Sequence, residues 1–458
     1  MQLHPDGLKA FAATHLNMPI FYVVPDIHWA LGLEDILPHY HIVCADTTWA
    51  VDQLRHEGKS VFCADTDAPR QLAKRSSSGL LDLAAVQSFI RGKSAGALPH
   101  ILVFKPAPAI EKRCRELAYR LLAPASGVNR KYEDKLAFSR FLAEHALPRP
   151  DTVLGRMPGF DWKTLVQQLG PKVVLQTARG FAGSSTAMID SEAGFDRFRR
   201  EHPANEVKAS RHVEGIPLTL NACVLPDWVL FSRPFYQITG LPAYNRYPGG
   251  TCGNDYGFDY GWDADLQAQT QRIVETIGSS MRADGYLGVF GLDLVLADHD
   301  RRLLVIENNA RLVASIPFFT KLQRRSGQVP LLLLHILLHA GVPFDLDGDA
   351  AQAALLELPA AAQLILRNVT GHTVRVTGSL PTGIYDQALT QISATPESAG
   401  LGDATHLLLQ TAAPDRMVNP NMEYANMQWL NSVTASPGQL KPQIDTLAQA
   451  IRQILIKQ

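Results

Sequence analysis

The chain has 458 residues, of which 46% are hydrophobic and 19% are charged, and its 43 basic residues balance 44 acidic ones. At roughly 100–200 residues per domain, this length predicts about three domains. The formal net charge is −1 and the basic runs are short, whereas surfaces that bind nucleic acids or anionic membranes need clustered positive charge, so we expect neither as a partner.

The cysteines and the apolar runs indicate the cellular compartment of the protein. Five cysteines are scattered along the chain with no CxxC motif, which predicts neither a disulfide framework nor a zinc site and indicates a reducing compartment. The first residues lack the basic and then apolar pattern of a secretory signal. The longest apolar run, residues 331–342, is too short to cross a bilayer and is typical of a buried helix. We therefore expect a cytoplasmic protein.

Short apolar runs alternate with helix-length segments in the first part of the chain. Four of these runs have the length of buried strands, at residues 19–25, 41–46, 60–65 and 100–106. Strands separated by helices are typical of βαβ units and a parallel sheet. Residues 1–125 are therefore predicted to form an N-terminal parallel α/β domain.

A helix is predicted next, from about Tyr132 to the proline stop at Pro148. Two strands follow, at residues 173–176 and 187–190, and a loop rich in glycine and serine joins them. A loop of this kind between two strands predicts a hairpin rather than a phosphate-binding turn between a strand and a helix.

The second half of the chain contains a predicted helix, an antiparallel hairpin and a further set of strands. The helix spans residues 265–285, and the hairpin strands lie within 288–300 and 301–311, joined by Asp and His residues typical of turns. Short strands and a final helix then predict a C-terminal α+β domain over 346–458. The expected fold class is thus a multidomain α/β and α+β protein, with its central domain at 126–345.

Oxygen ligands converge on the predicted hairpin. Asp293 lies on its first strand, and Glu307 and Asn309 lie two residues apart on the second, so that both face one side, which Arg311 continues. Such hard ligands suit Mg²⁺, which takes its other ligands from phosphate and water, so the set could hold two Mg²⁺ ions on a triphosphate. A solvated sheet edge can carry the same residues. However, Glu307 ends the apolar run 303–306, where an unpaired carboxylate is costly.

Three further features are candidates for binding. The loop residues Gly180, Gly183, Ser184, Ser185 and Thr186 could expose backbone N–H groups to an anion, although a simple hairpin tip has the same composition. Lys135 could contact a phosphate, and a surface lysine is the alternative. The long loop 239–257 suggests that Arg246, Asn254 and Tyr256 lie near a substrate, whereas an ordinary surface loop is equally compatible.

Together and in this order, these motifs resemble the ATP-grasp superfamily, and within it the biotin-carboxylase-like and L-amino-acid-ligase-like branch. The resemblance covers roughly residues 125–345 and is most specific at Asp293 and 307–311. It implies a pre-ATP-grasp α/β domain, an ATP-grasp module with a mobile lid at about 150–212, and a C-terminal extension. It also implies ATP and Mg²⁺ as cofactors, a homodimer as the assembly, and small-molecule carboxylate and amine substrates.

The resemblance also implies roles for individual residues. Asp293, Glu307 and Asn309 are expected to bind magnesium. Arg311 is expected to steady the substrate carboxylate and its acyl phosphate, with Arg246 and Asn254 nearby. The nucleotide-binding set comprises Lys135 and Gln176 on the phosphates, the loop Gly180–Thr186 above them, and Arg211 and Val213, which read adenine through backbone groups.

The sequence departs from the family pattern at three positions. Gln176 stands where many relatives have a lysine that contacts ATP, and glutamine donates a hydrogen bond without charge. Ser210 stands where relatives usually have a carboxylate for the adenine amino group. The glutamate expected to bind ribose is missing near Pro217.

The expected activity is that of an ATP-dependent ligase that joins a carboxylate to an amine through an acyl phosphate and releases ADP and phosphate. A bicarbonate-activating carboxylase is one alternative. A nucleotide-binding protein with a degraded, non-catalytic site is another, which the departures from the family pattern would permit. An enol or hydroxyl acceptor of the phosphate is a third.

Overall fold

The computed structural model describes residues 3–178, 186–247, 249–394 and 405–456. Its N-terminal part surrounds a parallel sheet in the order β3-β2-β1-β4-β5, which confirms the predicted α/β pattern. The strands are β1 (Ile20–Val23), β2 (Tyr40–Cys44), β3 (Ser60–Cys63), β4 (His100–Val103) and β5 (Arg120–Leu122). The helices are α1 (Leu8–His15), α2 (Trp49–His56), α3 (Ala64–Asp67), α4 (Ser77–Asp82), α5 (Ala84–Ser94) and α6 (Pro108–Glu116).

Apolar runs without alternation produce this parallel sheet because both of its faces are covered. In β1, Ile20 and Tyr22 pack into one hydrophobic cluster, and Phe21 and Val23 pack into another on the opposite face. All four side chains are buried. Such two-sided burial is typical of parallel sheets, whose crossover helices lie on both sides.

The segment before Pro148 forms two helices, so the single predicted helix is wrong. They are α7 (Ser126–Glu133) and α8 (Lys135–Glu144). Asp134 separates them because its carboxylate accepts hydrogen bonds from the backbone N–H groups of Leu136 and Ala137 and so caps a new helix. This break makes Lys135 the first residue of α8.

A four-stranded antiparallel sheet, the lid sheet, follows in the order β6-β9-β7-β8. Its elements are β6 (Thr152–Arg156), α9 (Trp162–Leu169), β7 (Val173–Thr177), β8 (Thr186–Ile189), α10 (Glu192–Glu201) and β9 (Glu206–Arg211). The pairing of Val173 with Ile189 confirms the predicted hairpin. Leu165, Phe195 and Phe198 from the two helices form the core on one face, which leaves the polar residues of the strands for the other face.

The central segment combines strands with helices, the longest of which is Ala264–Ala283. Its elements are β10 (Gly215–Val224), β11 (Val229–Phe231), β12 (Phe235–Ile238), β13 (Gly253–Asp255), α11 (Ala264–Ala283), β14 (Gly288–Ala297), β15 (Leu303–Asn309), α12 (Ile316–Arg325) and α13 (Leu331–Ala340). The antiparallel pair β14–β15 confirms the predicted hairpin. The helix α13 is the predicted buried apolar run.

The C-terminal segment contributes short strands between two helices. They are α14 (Gly348–Leu356), β16 (Ala362–Arg367), β17 (Val374–Arg375), β18 (Gly383–Tyr385), β19 (Gln391–Ser393), β20 (Leu407–Thr411), β21 (Met417–Val418), β22 (Glu423–Trp429), β23 (Thr434–Ser436), β24 (Gln439–Leu440) and α15 (Pro442–Leu455). Short 3₁₀ turns lie at Pro5–Gly7, Ile27–Ala30 and Met157–Gly159.

One large sheet runs through the central and C-terminal segments. Its order is β15-β14-β10-β12-β13-β16-β22-β20-β18-β19, and β11 pairs with β10 outside this path. Residues on both sides of the predicted boundary at 345 therefore share a sheet, through the antiparallel pairing of β13 with β16. The domain boundaries themselves stay predictions.

No helix in the described ranges is long and apolar enough to cross a membrane. All five cysteines are buried thiols without a disulfide. The fold thus combines a parallel α/β sheet, a small lid sheet and a large antiparallel sheet, which confirms the predicted fold class.

Candidate functional site

A cavity of about 1320 Å³ lies where the lid sheet, the β14–β15 hairpin and the N-terminal sheet meet. The lid contributes Gln176 and Lys208, the hairpin contributes Asp293 and Glu307, and the N-terminal part contributes Asp46. Pockets for one small molecule usually measure roughly 300–1,000 Å³. This cavity therefore has room for a nucleotide together with smaller molecules.

A β-bulge places Glu307 in the cavity. Asp293 pairs with Glu307, but the next residue, Leu294, pairs with Val305, so Ile306 has no partner on β14. Bulges of this kind change the direction of neighbouring side chains. Both Ile306 and Glu307 line the cavity as a result, although adjacent residues of a regular strand face opposite sides.

The structure brings the three predicted metal ligands together. The Nδ2 of Asn309 donates a hydrogen bond to Oδ2 of Asp293 over 3.1 Å. The other carboxylate oxygen of Asp293 accepts from Gln237 Nε2 at 3.5 Å. The Nζ of Lys135 donates to Oε1 of Glu307 over 2.5 Å. Nitrogen donors thus surround two carboxylates that face each other across the hairpin.

The electrostatics of Asp293 favour a bound cation. Burial raises the pKa of this carboxyl to about 6, and the negative charge of Glu307 adds to the rise. Hydrogen bonds from Thr219 and Asn309 oppose it. A divalent cation between two such carboxylates would offset both the burial and the repulsion, so these residues fit Mg²⁺.

A stability prediction follows from this shift. The folded pKa of Asp293 is about 6 and its ordinary value is 3.8, so the folded state holds the extra proton between these values. Protonated Asp293 therefore costs the folded state nothing at low pH. As pH rises from about 4 to 6, ionisation of this buried carboxyl lowers the free energy of unfolding, and the loss is complete above pH 6. At pH 7.5 we expect Asp293→Asn to stabilise the metal-free protein by about 1–3 kcal/mol, at 1.36 kcal/mol per pKa unit.

The measurement is thermal unfolding in EDTA at several pH values. The difference between Asp293→Asn and the unchanged protein should shrink as pH falls from 7.5 towards 4.5. A difference that is independent of pH would contradict the assignment of this titration to Asp293.

Lys135 occupies an electrostatically unfavourable position that Glu307 offsets. It is the first residue of α8 and is buried, although a cation is disfavoured at the positive end of a helix dipole. Its contact with Glu307 crosses from the helix to the hairpin. The structure thus places Lys135 beside the carboxylates, while its predicted contact with the nucleotide phosphates stays a prediction.

The guanidinium of Arg311 is held on several sides. Its Nη2 donates to Asn309 Oδ1 over 2.8 Å, and its Nε lies 2.8 Å from Oε1 of Glu133. Its Cζ lies 5.1 Å from the ring centre of Phe104, a cation–π distance. Arg311 lines the cavity next to the carboxylates. Its fixed orientation suits recognition of an oxyanion by a planar fork of donors.

The predicted nucleotide-binding residues fall into three groups. Gln176 is buried at the cavity wall, and its Nε2 donates to Thr186 Oγ1 over 3.0 Å. Arg211 and Val213 also line the cavity, and the guanidinium of Arg211 pairs with Asp151 at 2.9 Å. The four other loop residues, Gly180, Gly183, Ser184 and Ser185, lie outside the described residues.

The three residues proposed from loop 239–257 lie in different parts of the structure. Asn254 lies on β13 and lines the cavity. Arg246 is exposed, lies outside the cavity lining and sits beside Gly371. Tyr256 follows the end of β13 and is buried in the hydrophobic core, where its ring packs against Phe235. Of the three, the structure places only Asn254 at the cavity.

Sequence reasoning missed a cluster of charged residues in the cavity wall. Asp46 contacts Arg75 and also pairs with Arg416 from the C-terminal segment, where Nη2 and Oδ2 lie 3.0 Å apart. All three line the cavity. No local motif links residues 370 positions apart, so the sequence carried no signal for this cluster.

Sequence reasoning also missed Lys208, which is buried in the lid sheet at the cavity wall. The sequence nevertheless contained a pattern that indicates Lys208. In the strand β9, Lys208 alternates with the apolar residues Val207 and Ala209, and it shares a face with Ser210, which was considered.

No protein-family model and no curated protein matches the sequence. Solved structures do match. The biotin carboxylase domain of Hydrogenobacter thermophilus 2-oxoglutarate carboxylase, with MgADP, ADP and bicarbonate, has a TM-score of 0.62 at 12% identity, over 96% of this chain and 90% of that one. Phosphoribosylamine–glycine ligase from Thermotoga maritima has a TM-score of 0.58 at 12% identity, over 96% and 98%.

A third match is Rhizobium etli pyruvate carboxylase, with a TM-score of 0.61 at 13% identity. The match covers 96% of this chain but only 37% of that larger protein. The likeness to each of the three covers 96% of this chain. The chain therefore has the ATP-grasp fold.

Proposed function

We propose that this protein is an ATP-dependent ligase that joins a small carboxylate to an amine through an acyl phosphate. The observation that supports it is the convergence of Asp293, Glu307 and Asn309 beside Arg311, in a cavity large enough for a nucleotide and two substrates. We further propose a cytoplasmic homodimer.

In this proposal the nucleotide lies between the lid sheet and the hairpin. Its adenine lies near the backbone of 210–213, and its phosphates extend to Lys135. Asp293, Glu307 and Asn309 would hold Mg²⁺, which would neutralise charge on the phosphates. The Oδ1 of Asn309 accepts from Arg311 and has a second lone pair for this purpose.

The reaction has two displacement steps. A carboxylate oxygen attacks the γ-phosphorus, the bond to the bridging oxygen of ADP breaks, and an acyl phosphate forms. The amine nitrogen then attacks the acyl carbon, the carbon–oxygen bond to phosphate breaks, and the nitrogen loses a proton to the departing phosphate or to water. Arg311 can stabilise the oxyanion of the tetrahedral intermediate.

Enclosure protects the intermediate because water hydrolyses acyl phosphates. The polar face of the lid sheet already lines the cavity through Gln176, Lys208 and Ser210. Closure of the lid over a bound nucleotide would exclude water and bring the reactants together.

The wall formed by Asp46, Arg75 and Arg416 is the proposed position of the substrates. Acidic and basic groups together suit molecules that carry both an amine and a carboxylate. Asn254 and Arg367 also line the cavity.

We expect Asn254→Ala to raise the KM of a substrate about fivefold with kcat nearly unchanged, because one hydrogen bond contributes about 1 kcal/mol. Steady-state kinetics with each substrate varied would measure this. Arg246→Ala is the matched control, since Arg246 belongs to the same loop but lies outside the cavity lining. Equal effects in the two variants would remove Asn254 from the substrate site.

A bicarbonate-activating carboxylase is the second candidate. The likeness to a biotin carboxylase domain solved with bicarbonate supports it. Bicarbonate offers an anionic oxygen nucleophile as a carboxylate does, and the same residues could support its phosphorylation to carboxyphosphate.

The test is a screen of acid and amine pairs that reads phosphate release, with mass spectrometry of the condensed product. The proposal expects an amide, and transfer of one ¹⁸O from a labelled carboxylate to phosphate. Turnover with bicarbonate and no other acid would favour the carboxylase. Nucleotide binding with no turnover across the panel would favour a degraded site and contradict the ligase proposal.

A further inference from the structure

Lys208 is a buried cation with little compensation. Its residue is 4% exposed, and its Nζ donates one hydrogen bond, to the backbone oxygen of Ile306 over 3.2 Å. A lysine ammonium has three donors. In the described part of the chain, no carboxylate lies within ion-pair distance of this Nζ. A buried ammonium with one neutral partner is costly unless an anion completes its surroundings.

The charged groups around Lys208 leave it short of negative charge. Glu307 favours the protonated amine, whereas Lys135 and Arg149 oppose it, and burial is the largest influence. The pKa of Lys208 falls to about 8 in consequence. Glu307 is already in contact with Lys135. Two lysines therefore share one carboxylate at the cavity wall, and the site has capacity for a further anion.

The strand register relates Lys208 to Gln176. The two residues are direct partners in the antiparallel pairing of β7 with β9, and both line the cavity. Directly paired residues have Cβ atoms roughly 4.5–5.5 Å apart, so their side chains reach overlapping space. The amide of Gln176 is engaged by Thr186. The positive charge that position 176 lacks is thus available from the neighbouring strand.

We propose that Lys208 is a binding residue for the terminal phosphates of the nucleotide and supplies the positive charge that Gln176 lacks. Together with Lys135 it forms a pair of cations next to Glu307. This inference rests on the proposed nucleotide-dependent function, because it assigns a ligand group to the same cavity. It differs from a purely structural role, in which Lys208 only ties the lid sheet to β15 through Ile306.

The test is calorimetric binding of ADP and AMP to the full chain with Mg²⁺. Lys208→Met keeps the length of the side chain and removes the charge. We expect it to weaken ADP binding at least about tenfold and AMP binding less than threefold, because charge-assisted hydrogen bonds to the terminal phosphate are lost. The double variant Gln176→Lys with Lys208→Met returns the charge to the paired position and should recover most of the ADP affinity.

Three outcomes would overturn the inference: unchanged ADP affinity in Lys208→Met, equal weakening of ADP and AMP, or no recovery in the double variant. Equal weakening is the result that a structural tie between the lid and β15 predicts. If the unchanged protein bound neither ADP nor AMP, the proposed function itself would fail. If the unchanged protein bound both nucleotides and Lys208→Met bound them with the same affinities, only the inference on Lys208 would fail.

A second measurement needs no variant. Acetic anhydride labels lysine amines, and mass spectrometry reports the labelled fraction of each lysine in the unchanged protein. We expect ADP and pyrophosphate, but not adenosine, to lower labelling of Lys208 at least about threefold. Lys112, whose side chain is 74% exposed, is the internal control and should not change. Equal labelling of Lys208 with and without pyrophosphate would contradict the proposed contact.

Discussion

We expect Glu307→Gln to reduce substrate-dependent ADP formation by about a hundredfold or more. Glutamine keeps the shape of the side chain and removes the charge that faces Asp293 across the hairpin. It also removes the partner of Lys135, which is buried beside it. Electrostatic stabilisation by a bound metal ion contributes several kcal/mol to phosphoryl transfer, and each 1.36 kcal/mol corresponds to about tenfold in rate.

The control for this variant is Glu144→Gln, an identical chemical change at an exposed position of α8. It should leave ADP formation within about twofold of the unchanged protein, and circular dichroism should confirm that both variants fold. The assay is release of ADP in the presence of an active acid and amine pair. Near-normal turnover in Glu307→Gln would end the proposal that this hairpin holds the catalytic metal.

Arg311→Lys is expected to have the second largest effect. Lysine keeps the charge but loses the planar fork, whose nitrogens contact Asn309, Leu312 and Glu133. Removing one preorganised donor from an oxyanion site typically costs about 10²–10³ in kcat. We expect a loss of that size in kcat and less than a threefold change in ADP affinity, because Arg311 is proposed to act on the acyl group.

Arg140→Lys provides the matched control, since Arg140 is an exposed arginine of α8. Single-turnover kinetics separate the two steps of the reaction. If Arg311→Lys lost only ADP affinity and kept its kcat, we would conclude that Arg311 binds the nucleotide rather than the acyl group.

Local patterns were sufficient to predict the hairpin that carries the site. Apolar residues flank Asp293 in β14, an Asp and His turn follows, and Glu307 ends the apolar run 303–306, so the pairing of Asp293 with Glu307 could be anticipated. The parallel N-terminal sheet was predictable for a related reason, because its strands are short, apolar and separated by helices. The bulge at Ile306 was not, since no residue type marks it.

Long-range contacts explain what the sequence could not predict. Asp46 meets Arg416 only after the C-terminal segment folds against the N-terminal sheet. The burial of Tyr256 depends on ring contacts with Phe235 and Phe319, which come from other elements of the chain. The break before Lys135 depends on whether Asp134 caps a helix or lies within one, and its two backbone contacts decide this only in the folded chain.

The most direct test of the account is a titration of Mn²⁺ into the protein, followed by electron paramagnetic resonance in the presence and absence of ADP. Mn²⁺ takes the same oxygen ligands as Mg²⁺ and reports bound metal without any need for turnover. We predict one or two bound Mn²⁺ ions per chain when ADP is present. In Glu307→Gln the affinity for Mn²⁺ should fall at least about tenfold. The account would be contradicted if Mn²⁺ did not bind with ADP, or if Glu307→Gln bound it as tightly as the unchanged protein.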